Sequence, residues 1–344
     1  MPPDFASRLV AWQRDRGRHD LPWQGGADPY PVWVSEIMLQ QTQVETVIPY
    51  FRRFTSRFPD LAALAAADED QVLALWSGLG YYRRGRNLHA AARRIVAEHG
   101  GRFPEDFAAI QSLPGIGRST AAAIAVFAFG QRRAILDGNV RRVLARVYGV
   151  AGWPGDRTVE NRLWTLAESL LPTTGIRAYT QGLMDLGAMV CTRGRPRCET
   201  CPFTDDCLAN RQGLQRELPG PRPRKTLPEK STAMLVLLRA GEVLLEKRPP
   251  SGIWGGLWSL PECGESDDPR AAARRLGFEA DVADALPAFS HSFTHFRLFI
   301  RPWALRVSRA GTVAEPGRLW LSLDDLEGAA LPTPVRRILE SVRA

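Results

Sequence analysis

Several groupings in the 344-residue chain have the residue types and spacing of working chemistry. The tightest is a thiol cluster, Cys191-x6-Cys198-x2-Cys201-x5-Cys207. Four cysteines this close, in a segment with too few apolar residues to fold alone, point to metal binding rather than disulfides. Zinc and an iron–sulfur cluster both use four thiolates, and spacing alone does not choose between them. Cys263 stands apart and reads as an incidental free thiol. The run Leu113-Pro-Gly-Ile-Gly-Arg-Ser-Thr120 precedes an Ala-rich apolar stretch. Gly115 and Gly117 permit a tight turn with positive φ. Free amides at the start of the next helix then form an anion site. A phosphate held there fixes register on DNA without reading sequence. An ordinary helix–helix turn is the plainer alternative.

Glu36, Gln40 and Gln43 fall at i, i+4 and i+7 within Val34–Gln43 and would share one helical face. Amides both donate and accept, so such a face can read base edges. A solvated helix is the competing reading. Asp137 precedes an apolar-periodic stretch and reads as a helix N-cap. Capping does not exclude catalysis, because a helix N-terminus also keeps a carboxylate ionised. In Gly78-Leu-Gly-Tyr-Tyr-Arg-Arg-Gly-Arg86, aromatics beside clustered arginines suit base stacking and phosphate pairing. A packed tyrosine turn with a basic outer face has the same pattern.

The elements that must position these groups divide in two. Residues 1–210 read as almost entirely helical, with little β-branched alternation. Val34, Ile37, Met38, Val44 and Ile48 suit one buried stripe, and Val140, Val143, Leu144 and Val147 another. Residues 61–75 and 87–98 are Ala/Leu-rich and favour helix. Residues 211–230 form a basic, Pro-rich link, with Pro219, Pro221, Pro223 and Pro228 among Arg and Lys. Beyond it, Met234–Leu238 and Glu242–Glu246 read as strands turning at Ala240-Gly241. Residues 270–276 read as helix and 296–307 as strand, so 231–344 is a small α/β domain.

A chain with 44% hydrophobic and 24% charged residues is an ordinary globular composition, which excludes disorder as the main state. The longest apolar run, Ala121 to Phe129, is far short of the roughly 20 residues a membrane span needs. The N-terminus has no secretory pattern, and a cytoplasmic location is expected. The net charge of +8 favours a polyanionic partner. Half of the excess lies in the 211–230 link, and 231–344 is neutral. Lysine occurs only at 225, 230 and 247, so residues 1–224 hold no amine able to form a Schiff base.

Taken together, these residues resemble the endonuclease III superfamily of helix-hairpin-helix glycosylases. Within it the chain is similar, essentially end to end, to MutY-type adenine DNA glycosylases. Leu21-Pro-Trp23, the Ser35–Gln43 run, Gly78–Arg86, the hairpin, Leu136–Val140 and the four cysteines stand in family order. The resemblance implies a multidomain fold. An all-α glycosylase domain (1–210) would carry a helix-hairpin-helix at about 108–130 and an iron–sulfur loop at 191–207. An α/β Nudix-like domain would follow at 231–344. It implies a [4Fe–4S] cluster on Cys191, Cys198, Cys201 and Cys207, with Arg193, Arg195 and Arg197 in a loop that touches DNA phosphate.

The implied substrate is double-stranded DNA with adenine opposite 8-oxoguanine or guanine, bound by a monomer associated with a bacterial nucleoid. Adenine is flipped from the stack into a pocket. The resemblance makes Glu36 the acid that protonates adenine N7 and Asp137 the ionised carboxylate facing the sugar. Asn139 supports them and Trp23 walls the pocket. Gln41 and Tyr81 wedge the duplex near the oxidised guanine, while Gly115, Ile116 and Gly117 hold backbone phosphate. Ser119 stands where strand-cleaving relatives carry lysine, which implies a monofunctional glycosylase without significant lyase activity.

The strip Arg248–Glu262 resembles a Nudix domain. Ala271–Gly277 lacks the glutamates that a Nudix hydrolase needs for Mg²⁺, so hydrolysis is not expected. Phe293, Thr294 and His295 match the family's lesion-reading loop. Without the resemblance, Phe293 and Phe296 read as core. Three other readings compete: a pyrimidine glycosylase-lyase, a non-enzymatic mismatch binder and a nucleotide hydrolase. The missing lysine, the two carboxylates and the missing glutamates argue against them in turn.

Overall fold

The computed structural model describes residues 4–26, 28–223, 226–309 and 317–343. Arg224 and Lys225 of the basic link lie outside the described residues. Contacts divide the chain into two compact units: Met1–Ala65 with Ala90–Arg224, and Ala66–His89 with Lys225–Ala344. Among the described residues, no helix is long and apolar enough to cross a membrane.

The first unit is helical. Several of its helices start where an aspartate takes up free amides of the first turn. Asp28 accepts from Tyr30 N at 2.9 Å ahead of Pro29–Leu39. Asp106 accepts from Ala109 N at 2.8 Å ahead of Phe107–Ser112. Asp156 accepts from Thr158 N at 2.9 Å ahead of Arg157–Ser169. The Arg118–Phe129 helix is buried from Ala121 through Val126, so it is surrounded by other elements rather than lying on the surface. Part of the core gathers Phe5, Leu144, Leu183 and Phe203, with the rings of Phe5 and Phe203 stacked at 4.3 Å. The Ile176–Asp185 helix widens into a π-turn, Leu186–Val190, which leads straight into Cys191.

Two expectations change here. The helix expected through Gln43 stops at Leu39; Gln41 takes φ 61°, and a new helix runs over Val44–Arg57. The stripe from Val34 to Ile48 is therefore split between two helices, and Glu36, Gln40 and Gln43 share no face. The cause is tertiary: Gln40 Nε2 donates to Gly115 O and Thr120 Oγ1, each at 3.3 Å, and holds the chain in its turn. The start of the 211–230 link is also packed rather than extended. Leu208–Gln212 is a short helix closed by Gly213 at φ 71°, and Leu218 is buried in the first unit's core.

The second unit is built on a sheet. Its strand order is Arg318–Ser322, Glu242–Lys247, Glu229–Arg239, Arg297–Arg306, Ala283–Ala285. Glu229–Arg239 and Arg297–Arg306 run parallel, with Glu229 opposite Arg297 and Leu238 opposite Arg306. Met234 and Val236 join a core with Val335, Ile338 and Leu339 of the Thr333–Arg343 helix. Leu235 and Leu237 join one with Ala272 and Ala273 of Pro269–Arg275. Cover on both faces explains the unbroken buried run in this strand. Ala240 and Gly241, at φ 49° and 79°, make the two-residue hairpin turn that its neighbours require. The strands and helix expected in this half are all present.

Candidate active site

One cleft of the first unit is lined by Glu36, Asp137, Asn139, Trp23, Ser119 and Gln41. Glu36 is partly buried on the Pro29–Leu39 helix, between buried Ser35 and Ile37. Burial pushes its carboxyl up to about 8, and the nearby Asp137 charge adds to the rise. Such a group holds its proton at neutral pH. Asp137 sits at the N-cap of Gly138–Val147, and its Oδ1 accepts from Val140 N at 2.8 Å. Burial raises this carboxyl too, but the amides of Val140 and Asn139 and the guanidinium groups of Arg142 and Arg141 pull it back. Both influences on Glu36 favour its acid form, whereas Asp137 is supplied with donors. Glu36 is thus the carboxyl pushed past neutrality, while Asp137, also raised overall, is the one that amides and guanidinium groups supply with donors.

The surroundings fix this pair. Ser119 Oγ accepts from Leu136 N at 2.9 Å, which pins the residue before Asp137. Arg142 Nη2 donates to Asn139 Oδ1 at 2.7 Å and to Gly187 O at 2.8 Å, and its Nε donates to Cys191 O at 2.7 Å. Gly187, in the π-turn, must be glycine: a Cβ there would lie 2.5 Å from Asn139 Cβ. Trp23 is buried and meets the Phe51 ring edge-on at 5.3 Å.

The four thiols, Cys191, Cys198, Cys201 and Cys207, line one cavity together with Val143, Arg146 and Leu186. Among the described residues, no group of three or more His, Cys, Asp or Glu side chains is arranged to hold a metal ion. Arg146 is buried beside them. Its Nη1 donates to Cys191 Sγ at 3.4 Å and Thr192 O at 2.7 Å, and its backbone carbonyl accepts from Cys207 Sγ at 3.4 Å.

At the hairpin, Gly115 takes φ 80° but Gly117 does not; Gly117 is extended at φ −86° and caps Arg118–Phe129. Only Gly115 thus needs glycine for its backbone. Gly117 is exposed at the helix start, and a Cβ there would meet nothing within 4 Å. Ile116 is buried and anchors the turn. Gln41 is exposed and left-handed, a conformation that non-glycine residues adopt at a cost.

The remaining site residues lie in the second unit. Tyr81 is exposed and also left-handed, at φ 49°. Its turn is locked from behind: Trp76 Nε1 donates to Gly80 O at 3.2 Å, and Arg84 Nη2 to Gly80 O at 3.1 Å. Burial lowers the Arg84 guanidinium to about 10. Phe293 N–H donates to Phe296 O at 2.8 Å, and their rings stack at 4.4 Å. This tight turn leaves Thr294 and His295 exposed. Phe293 and Phe296 are partly buried and pack against the second unit's core. Thr294 Oγ1 lies 3.4 Å from Tyr81 Oη. The Pro269–Arg275 helix carries no acidic side chain, and Glu262 is paired with Arg248 at 2.9 Å. Sequence reasoning missed Arg142 and Arg146, because a buried arginine has no local signature when its partners are backbone carbonyls of distant segments. Arg84, in the run read as suited to phosphate pairing, is instead buried and donates to the carbonyls of Leu79 and Gly80.

Residues 34–169 match the family model of the HhH-GPD superfamily base excision DNA repair proteins, and residues 232–341 match the NUDIX domain. The chain is 36% identical over 341 residues to the adenine DNA glycosylase of Buchnera aphidicola subsp. Acyrthosiphon pisum, covering 98% of this chain and 97% of that one. It is 34% identical to the adenine DNA glycosylase of Homo sapiens, covering 97% of this chain and 73% of that one. A thermostable thymine-DNA glycosylase superposes with a TM-score of 0.54 at 30% identity, over 60% of this chain and 95% of that chain. An endonuclease III bound to DNA superposes with a TM-score of 0.52 at 20% identity, over 61% and 95% of the two chains, a likeness of fold. The similarity runs nearly end to end and takes in both the cleft and the four-thiol loop, and the chain belongs to the adenine DNA glycosylase family of base excision repair enzymes.

Proposed function

We propose that the protein removes adenine mispaired with 8-oxoguanine, and less readily with guanine, as a monofunctional glycosylase. The observation that carries this reading is the pair of carboxyl groups in one cleft, Glu36 on a buried helix face and Asp137 bonded by the Val140 amide at a helix start. Adenine flips out of the stack to lie against Trp23. The Glu36 carboxylic acid gives its proton to adenine N7. The C1′–N9 bond then breaks, and its electron pair leaves with the now neutral purine. The Asp137 carboxylate stabilises the oxocarbenium charge on the sugar, or bonds to it transiently, as paired carboxylates do in glycoside hydrolysis. Water adds to C1′ as Glu36, now a carboxylate, takes up its proton. Adenine and an abasic site result. Asn139, held by Arg142, keeps the pair in register.

No lysine stands within residues 1–224, and the Ser119 hydroxyl is engaged with Leu136 N–H. Both facts support hydrolysis without strand cleavage. Gly115, Ile116 and Gly117 would hold phosphate, and Gln41 would wedge the duplex. Tyr81 and Thr294, with Phe293 and His295, would read the base opposite the adenine. Cys191, Cys198, Cys201 and Cys207 would hold a [4Fe–4S] cluster. Four thiols lining one shared cavity fit a group that uses four thiolates. Bound there, the cluster would cross-link the loop and hold it in place for docking on DNA. The protein would act as a monomer on nucleoid DNA in the cytoplasm.

The test is a single-turnover time course on a duplex with adenine opposite 8-oxoguanine, with wild type and Glu36→Gln. Wild type should form abasic sites and the variant should not. Adenine left in place by the wild type overturns the reading.

A further inference from the structure

The turn that carries Tyr81 comes from the N-terminal half of the sequence, yet Ala66–His89 packs with the C-terminal unit. Leu73 of the Glu69–Trp76 helix is wholly buried in the core that holds Val335, Ile338 and Leu339. Just past that helix, Ser77 is buried. Its hydroxyl donates to Leu331 O at 2.8 Å and accepts from Arg336 Nη2 at 3.2 Å. Arg336 also donates to Leu326 O at 2.8 Å and Ala329 O at 3.2 Å. Tyr82 Oη donates to the same Leu331 O at 3.3 Å. At the start of the segment, Asp70 pairs with Lys247 and accepts from Trp258 Nε1 at 3.2 Å. Both ends of the segment are thus tied to the C-terminal unit by directional polar bonds. Tyr81 stands between the ties in a strained conformation, its hydroxyl 3.4 Å from that of Thr294 on a separate turn.

We propose that Ser77 and Arg336 form a specificity-determining clamp that positions Tyr81 against Thr294. The proposal rests on the reading of those two residues given above. The physical case is one of lever and base. A left-handed tyrosine persists only where its surroundings over-determine it. Two hydroxyls on different turns keep a fixed separation only if the turns share a rigid base. Ser77 supplies that base on the Tyr81 side, because it bonds both the Leu331 carbonyl and the arginine that gathers the Leu326–Ala329 turn. Neither Ser77 nor Arg336 lines the cleft with Glu36 and Asp137, so the bond-breaking step does not depend on them.

The experiment compares single-turnover excision rates for adenine opposite 8-oxoguanine and opposite guanine. It uses wild type, Ser77→Ala, Ser77→Thr, Arg336→Gln and Tyr81→Ala, each with a thermal unfolding curve. Ser77→Ala and Arg336→Gln should lower the ratio of the two rates about five- to tenfold, the scale of one or two lost hydrogen bonds. The guanine-opposed rate should change less than about twofold on the same scale. Ser77→Thr keeps the hydroxyl and should keep the ratio. Ser77→Ala added to Tyr81→Ala should lower it no further, which a general loss of stability would not reproduce. Should Ser77→Ala fail to fold, Arg336→Gln carries the test with the same expected loss. An unchanged ratio in the folded clamp variants, with a reduced one in Tyr81→Ala, overturns the clamp alone. A wild type with no preference for 8-oxoguanine overturns the underlying reading and the clamp's role with it.

Discussion

The cleft proposed as catalytic and the Tyr81–Thr294 surface proposed to read the opposite base position their key groups in opposite ways. In the cleft, Glu36 and Asp137 are partly buried and set by backbone: a helix position, an N-cap and a carbonyl-bound arginine. On the reading surface, Tyr81 and Thr294 are exposed side chains on tight turns, and the burial lies one layer beneath them. Proton placement needs low dielectric and fixed dipoles, since a carboxyl kept neutral in water would ionise. Recognition of a base needs side chains that reach out, so rigidity must come from below. The two regions should therefore fail differently when altered.

The largest break is expected in the cleft. Glu36→Gln removes the proton donor, and we predict a loss of about 10²–10⁴-fold in single-turnover excision, with DNA affinity little changed. Asp137→Asn keeps much of the cap but removes the charge that faces the sugar. A loss of about 10²–10³-fold is expected in the same assay. Both variants should keep their relative rates on 8-oxoguanine- and guanine-opposed adenine. A changed ratio would mean that the two regions are not separable.

The pH dependence sharpens the contrast. Excision should fall as pH rises through about 8, where Glu36 loses its proton, approaching tenfold per unit above that value. Stability should respond as well. Folded Glu36 keeps its proton to about 8, while an unfolded chain releases it near 4.5, so the folded state binds more protons in between. Denaturant unfolding should show this contribution falling between pH 4.5 and 8 and level above, with Glu36→Gln lacking that slope. The smallest effect belongs to the reading surface. Thr294→Ala should lower the 8-oxoguanine preference about five- to tenfold, with no effect on guanine-opposed excision or on the pH profile.

What could be read from sequence follows the same division. The Asp137 cap, the Gly115 turn and the strands after the link were legible because their causes are local: a short acid before an apolar helix, a glycine that must turn, an apolar run between breakers. The break after Leu39 was not, because Gln40-Gln41-Thr42 contains no helix breaker. The turn is made by bonds from Gln40 to the hairpin, far along the chain. The role of Gly117 was misjudged because a second glycine looks like a second turn, whereas its helix-capping backbone is ordinary. The packing of Ala66–His89 with the C-terminal unit was invisible for a related reason. Leu73, Ser77 and Asp70 look like parts of an unremarkable helix until their partners at Val335, Leu331 and Lys247 are in place. The proposed split of roles between Glu36 as acid and Asp137 as carboxylate depends on three-dimensional burial and could only be inferred from the family resemblance.

That split is best tested by infrared titration of the carboxyl C=O band in wild type against Glu36→Gln and Asp137→Asn. We predict a protonated carboxyl at pH 7 in wild type and in Asp137→Asn that titrates upward of the usual carboxylate range, at about 8 in wild type, and is missing from Glu36→Gln. A wild-type protein with no protonated carboxyl at pH 7, or one whose band persists in Glu36→Gln, would contradict the assignment of acid and base.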